Sequence, residues 1–228
     1  MEAENKDATF SVEKVIEYTT AVMNKHAEIK DIVCEDFFNI LHQFCRAFKL
    51  FNKFLGIAFS DVKDKVRVMT ENNQRFPGHQ GFFSFVKMEM EKGIEKYNTS
   101  NNKDLKAPKE FEKYDSTGRN LLRMMWLLTF IRVTFEGMRD ISANMSDILC
   151  KAYDAAFGDA HSFVVRGGAK LAIKATSDRK EFVRIILNQK EYDEMKFAEV
   201  SKRFMEKFVP LHEAMWGFYR ENKLTELP

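Results

Sequence analysis

Two arginines, Arg119 and Arg123, stand in the stretch Gly118–Met138 (GRNLLRMMWLLTFIRVTFEGM), which is otherwise almost wholly apolar. A spacing of four puts both on one face of a helix. Neither guanidinium can shed its proton to escape burial. Two fixed cations beside Leu121, Leu122, Met124, Met125 and Trp126 suit an anion between them, and a phosphate fits the planar fork in bidentate fashion. The plainer reading is that they form the exposed edge of the helix. Asp61 and Lys65 are also one turn apart, which by itself reads as a surface ion pair worth a few tenths of a kcal/mol. His161, within residues 152–166 (AYDAAFGDAHSFVVR), taken alone is a packed or surface histidine.

The common catalytic signatures are missing. The chain has no Gly-rich phosphate loop, no nucleophile elbow and no HExxH. The five histidines, His26, His42, His79, His161 and His212, show no ligand spacing, so neither metal nor cofactor is expected. With 36 basic and 34 acidic side chains the net charge is +2, which argues against a nucleic-acid binder. Phenylalanine supplies 22 of the aromatic residues, and a ring without a polar handle marks surfaces meant to be dry, above all a core. Cys34, Cys45 and Cys150 are an odd number without metal spacing, so a reducing compartment is expected. The start, MEAENKDATF, is too polar for a signal peptide, and the apolar run around Leu127–Ile131 is too short for a membrane span. The sequons at Asn98 and Asn144 are therefore expected to be unused.

The elements that must hold these residues are helical throughout. Residues 1–9 read as disordered, and 10–228 as a single domain. Periodicity predicts a helix from Phe10 to about His26 and a long one from Asp31 to Ser60, along which Phe37, Leu41, Phe44, Phe48, Phe51 and Leu55 form a seam. A further stretch starts, or the helix bends, at Asp61. Glu71–Gly81 reads as a loop, Gly81–Tyr97 as a helix, and Asn98–Thr117 as a polar loop containing Pro108. After Gly118–Met138 come helices at Asn144–Phe157 and His161–Ala175, the latter despite Gly167 and Gly168. Thr176–Asp178 is expected to cap a helix to Leu187, followed by one over Glu191–Val209 and a last one opened by Pro210. The fold class is all-α, with about eight helices.

Three segments together, Phe54–Met69 (FLGIAFSDVKDKVRVM), Arg119–Gly137 and Ala152–Arg166, resemble the three signature helices of the glycolipid transfer protein superfamily. Their order and separations fit, as do the first helix entered at Phe10 and the ending Leu224 to Leu227-Pro228. The resemblance implies a two-layer helical sandwich that carries one sphingolipid and is not an enzyme. It implies that Asp61 accepts from the ceramide amide N–H and His161 donates to the amide carbonyl, a division that suits a carboxylate and an imidazole. In the glycolipid-binding branch the position of Arg123 holds a tryptophan that stacks under a sugar. With Lys65, Arg119 and Arg123 in its place, the chain resembles the ceramide-1-phosphate branch, since a phosphomonoester rewards three donors that a neutral sugar leaves unpaired.

The resemblance further implies an apolar pocket, expected to involve Ile57, Leu127, Phe157 and Val164. It implies transient docking on membranes through Phe163, with Phe157, Lys151 and Arg166 nearby. The expected protein is a cytoplasmic monomer, peripheral on membranes. Two departures stand out. No arginine precedes the pair within Glu110–Gly118, where only Lys113 offers a charge, and Phe163 stands where relatives often have tryptophan. Competing readings are transfer of a neutral glycosphingolipid or another phosphosphingolipid, a helical adaptor for a phosphorylated partner, and a hydrolase using His161 and Asp61. The last lacks a nucleophile motif.

Overall fold

In a computed structural model of the chain, residues 9–51, 53–174 and 178–228 are described, without the side chains of 51–61. The helices are α1 (Val12–Ile29), α2 (Cys34–Phe51), α3 (Lys53–Arg75), α4 (Phe82–Lys92), α5 (Thr117–Gly137), α6 (Met145–Phe157), α7 (Phe163–Lys174), α8 (Arg179–Leu187) and α9 (Glu194–Glu221). Apart from a 3-10 turn at Lys109–Phe111 and one isolated bridge between Val33 and Gly81, the described residues hold no other regular element. The helices form a two-layer sandwich in which α5 packs against α3, α4, α6 and α9. That burial on most sides explains why α5 is apolar around most of its circumference.

Side chains from outside the helices fix several of their starts. Ser11, Ser116, Asn144, Asp178 and Asp193 each accept from a backbone amide two or three residues on, opening α1, α5, α6, α8 and α9. The carboxylate of Asp31 does the same for α4 across the chain, accepting from the amides of Phe83 at 2.7 Å and Ser84 at 3.0 Å. It fits because residue 81 has no side chain: a Cβ on Gly81 would lie 2.1 Å from Asp31 Cγ. Gly81→Ala must therefore displace a buried carboxylate from its donors. It should lower stability by about 3 kcal/mol, read as a shifted midpoint in urea with an unchanged slope.

Several boundaries differ from the periodic reading. The first change of helix falls between Phe51 and Lys53, and α3 runs through Ser60 and Asp61 without a break. Periodicity misses this because both helices carry the same 3.6-residue pattern. Gly93, at φ 67°, stops α4 well short of Tyr97. Pro210 lies inside α9 instead of opening a helix. A mid-helix proline costs about 3 kcal/mol. Here Phe204, Phe208, Leu211 and Met215 are all buried on one face spanning it, so the core holds both halves in line. The N-terminal stretch expected to be disordered falls largely on residues 1–8, outside those described, and Phe10 is buried. The expected cap at 176–178 lies outside the described residues except for Asp178, which caps α8.

Candidate functional site

The start of α5 sets the position of both arginines. Glu89 of α4 is fully buried and accepts from the amides of Thr117 at 2.6 Å and Gly118 at 2.7 Å, and from the Tyr114 hydroxyl at 2.5 Å. A carboxylate at a helix N-terminus meets both its free amides and its dipole. Burial nevertheless pushes the Glu89 carboxyl up to about 8, against the opposing pull of these three donors. The loop before α5, polar in sequence, is pinned rather than loose: the Asn102 amide donates to the carbonyls of Phe111, Glu112 and Tyr114.

Arg119 and Arg123 converge on the segment that follows α9. The Arg119 Nε donates to the backbone oxygen of Pro228, and its Nη1 lies 3.2 Å from Asp115 Oδ1. Arg123 Nη1 donates to the Leu227 carbonyl at 3.1 Å, and its guanidinium lies 4.6 Å from the Trp126 ring centre. The two guanidiniums thus bond successive backbone oxygens, and neither is the bare exposed edge that a surface reading would require. The Trp126 face holds the Arg123 plane in place. Both of these side-chain contacts are local: Asp115 stands four residues before Arg119 and Trp126 three after Arg123, spacings that bring side chains together on neighbouring turns. Lys65 is half-buried on α3, which packs against α5. The side chains of Asp61 and Ile57 lie outside the described residues. Lys113 is exposed.

The tail is held because α9 is clamped to α5. Tyr219 is fully buried and its hydroxyl donates to the Gly118 carbonyl at 2.6 Å. Farther along, Trp216 Nε1 donates to Thr129 Oγ1 at 3.2 Å, and His212 Nε2 lies 2.9 Å from the same oxygen. Arg132 Nη1 faces His212 Nδ1 at 3.1 Å. Arginine can only donate, so Nδ1 accepts and the proton sits on Nε2. Burial first, then Arg132, pushes His212 down to about 4. The folded state therefore resists a proton that the unfolded chain takes up below about 6.5. The stability His212 provides is complete above 6.5 and should be lost, on the order of 2 kcal/mol, as pH falls from 6.5 to 4. Thermal melts across that window should show a shallower acid loss in His212→Gln.

His161 follows α6. Its Nδ1 lies 2.6 Å from the Tyr153 hydroxyl, and its ring is parallel to Phe157, with centres 5.4 Å apart and 6° between planes. Phe157 in turn meets Phe130 of α5, with ring centres 6.3 Å apart. Phe130 lines an apolar cavity of about 30 Å³ among α1, α2, α5, α6, α8 and α9, with Phe10, Val15, Phe48, Phe135 and Ile186 among its walls. Thr134, the one polar side chain among the described lining residues, is satisfied by the Phe130 carbonyl at 2.8 Å. Such a space is dry and holds no chain of a dozen carbons, since ligand pockets run to roughly 300 Å³ or more.

Three residues expected in the pocket lining do not line this cavity. Leu127 is core-buried, one turn nearer the start of α5 than the cavity wall. Phe157 is one ring removed, behind Phe130. Val164 is 81% exposed, because α7 turns Ala169 and Ile173 inward and residue 164 lies about 140° around the helix from Ala169. The outer face of α7 carries Phe163 at 82% and Leu171 at 72% exposure beside it. Lys151 is exposed nearby, whereas Arg166 is half-buried and donates to the Gly158 carbonyl at 3.0 Å. No helix of the described residues is long and apolar enough to cross a membrane, and no cluster of potential metal ligands occurs among them.

A helical sandwich with an apolar interior cavity, a histidine stacked on the ring beside it and an arginine pair on its central helix are the features the site presents. The chain belongs to the glycolipid transfer protein family, whose model, described as Glycolipid transfer protein (GLTP), matches residues 32–188. It is 25% identical over 181 residues to the ceramide-1-phosphate transfer protein of Rattus norvegicus, covering 76% of this chain and 79% of that one. Its fold is similar to mouse ceramide-1-phosphate transfer protein in its apo form, with a TM-score of 0.78, 19% identity, and coverage of 96% of this chain and 100% of that one. The human protein in complex with 12:0 ceramide-1-phosphate gives 0.77 at 17% identity, with 97% and 100% covered.

Proposed function

We propose that this chain is a non-enzymatic sphingolipid carrier that binds one ceramide-1-phosphate-type lipid and moves it between membranes. The observation that carries the reading is the convergence of Arg119 and Arg123 on two successive backbone oxygens, those of residues 228 and 227. Guanidiniums already aimed at adjacent oxygens are donors placed for a phosphate, whose oxygens would take the place of those acceptors. Lys65 supplies the third cation. Asp61 and His161 take the amide N–H and carbonyl, and a single domain over 10–228 carries the whole site. The relatives named above as ceramide-1-phosphate transfer proteins support this choice of headgroup.

The chains enter the apolar interior, whose cavity of about 30 Å³ must widen roughly tenfold to take them. Widening separates α1 and α8 from α2 and α5, whose side chains meet there, and Ile57, Leu127 and Phe157 join the lining as it opens. Docking uses the outer face of α7, where Phe163, Val164 and Leu171 can enter the interface while Lys151 and Arg166 stay near anionic headgroups. The carrier acts as a monomer, peripheral on the cytoplasmic face of membranes.

The deciding experiment is vesicle-to-vesicle transfer of fluorescent ceramide-1-phosphate, with galactosylceramide and phosphatidic acid run alongside. Movement of ceramide-1-phosphate alone supports both the cationic headgroup site and the amide pair. Movement of galactosylceramide instead overturns the headgroup assignment. Movement of none overturns the carrier and favours the adaptor.

A further inference from the structure

We infer that Tyr153 is a positioning residue that sets the tautomer of His161, making its Nε2 a fixed hydrogen-bond donor for a lipid carbonyl. The inference rests on the proposed role of His161 and adds the group that enforces it. Tyr153 and Phe157 are four residues apart on α6, so both reach the turn in which His161 sits. The tyrosine oxygen and Nδ1 are 2.6 Å apart, which leaves one hydrogen between them.

Two arrangements are possible. If Nδ1 carries the proton, the tyrosine must turn its own hydrogen elsewhere. No acceptor for it occurs among the described residues, and Tyr153 is buried at 7% exposure. A buried donor without an acceptor is the costly fault, and the other arrangement avoids it: the Nε2–H it leaves belongs to His161, which is half-exposed and open to water. Tyr153 therefore donates to Nδ1, and the imidazole keeps its proton on Nε2. Burial also keeps the tyrosine a phenol and His161 neutral, so the hydrogen stays available and the ring holds one N–H. Phe157, parallel to the imidazole at 5.4 Å, fixes the plane in which Nε2–H points. Among the described residues Nε2 has no partner, which leaves it open to a ligand.

A donor locked in this way discriminates. It rewards lipids that present an amide carbonyl and gives nothing to a group that can only donate. A free imidazole would switch tautomer and accept either.

Long-range proton–nitrogen correlation spectra of the ligand-free protein at pH 7.5 read the tautomer directly. Wild type should show His161 protonated at Nε2, and Tyr153→Phe should show both tautomers. A wild-type spectrum with the proton on Nδ1 overturns the inference without recourse to any variant. Affinity for short-chain ceramide-1-phosphate should fall about tenfold in Tyr153→Phe, the worth of one ordered hydrogen bond. Binding by wild type with equal affinity in Tyr153→Phe and an unchanged tautomer would overturn this inference alone. Failure of wild type to bind the lipid would remove the carrier reading, and this one with it.

Discussion

Arg123→Leu should reduce transfer of ceramide-1-phosphate by about 100-fold or more while the protein stays folded. The size follows from what is lost. A guanidinium that pairs with a phosphate in a partly dry site makes two charge-assisted hydrogen bonds, and removing one partner of such a pair costs about 2–5 kcal/mol. The cost to the fold is smaller. Of the contacts described, Arg123 gives up one bond to the Leu227 carbonyl and its place over Trp126, together about 1–2 kcal/mol. A melting temperature only a few degrees lower would separate lost recognition from lost structure. Arg123→Lys keeps the charge but not the planar fork, so its transfer rate should fall between the two. Transfer at the wild-type rate in Arg123→Leu would remove the phosphate from this site. Helix α5 would then use its arginines to fasten residues 227 and 228.

The second large effect is on stability. Glu89→Ala should destabilise the protein by about 4 kcal/mol, because it leaves two buried amides and the Tyr114 hydroxyl without an acceptor at the start of α5. Glu89→Gln separates the charge from the hydrogen bonds and should cost less. The pH dependence makes this sharper. A carboxyl pushed up to about 8 in the folded state, from about 4.5 unfolded, binds its proton more tightly when folded. Its favourable contribution is therefore complete below about 4.5 and is lost as pH rises towards 8. His212 runs the other way, losing stability as pH falls from 6.5 to 4. The two slopes oppose between 4.5 and 6.5, so the clean window for Glu89 is pH 6.5 to 8. Wild-type stability should decline there by a few kcal/mol and Glu89→Gln should be flat. A flat wild-type curve would mean that the three donors hold Glu89 ionised throughout.

Both effects depend on α5, and α5 was the most legible part of the chain. Its start, its end and its two arginines follow from composition and spacing, because an apolar run of this length after a polar loop has few alternatives. The elements that were misread share a cause. Pro210 and Gly93 obey local preferences that pull in known directions, yet the core overrides the first and lets the second stand. Nothing within a few residues of either position distinguishes the two outcomes. The cavity is the same problem at larger scale. With 22 phenylalanines, most of them core, no pattern in sequence separates the rings around an interior space from the rings that fill it. Val164, which the resemblance places in the pocket lining, is turned outward by the packing of Ala169 and Ile173.

The sequence by itself determined the all-α class, the stations of Arg119, Arg123 and His161 on or beside their helices, and the family through three segments in register. These depend on residue type and on spacings of three and four, which a helix converts directly into shared faces. Only the tertiary structure decided what those residues touch. The arginines meet the oxygens of residues 227 and 228, more than a hundred positions away, Glu89 seats α5 from another helix, and the tyrosine that orders His161 is selected by a turn. Local spacing reports which side chains share a helical face. It does not report which distant segment returns to that face, because the return is set by how the whole core packs.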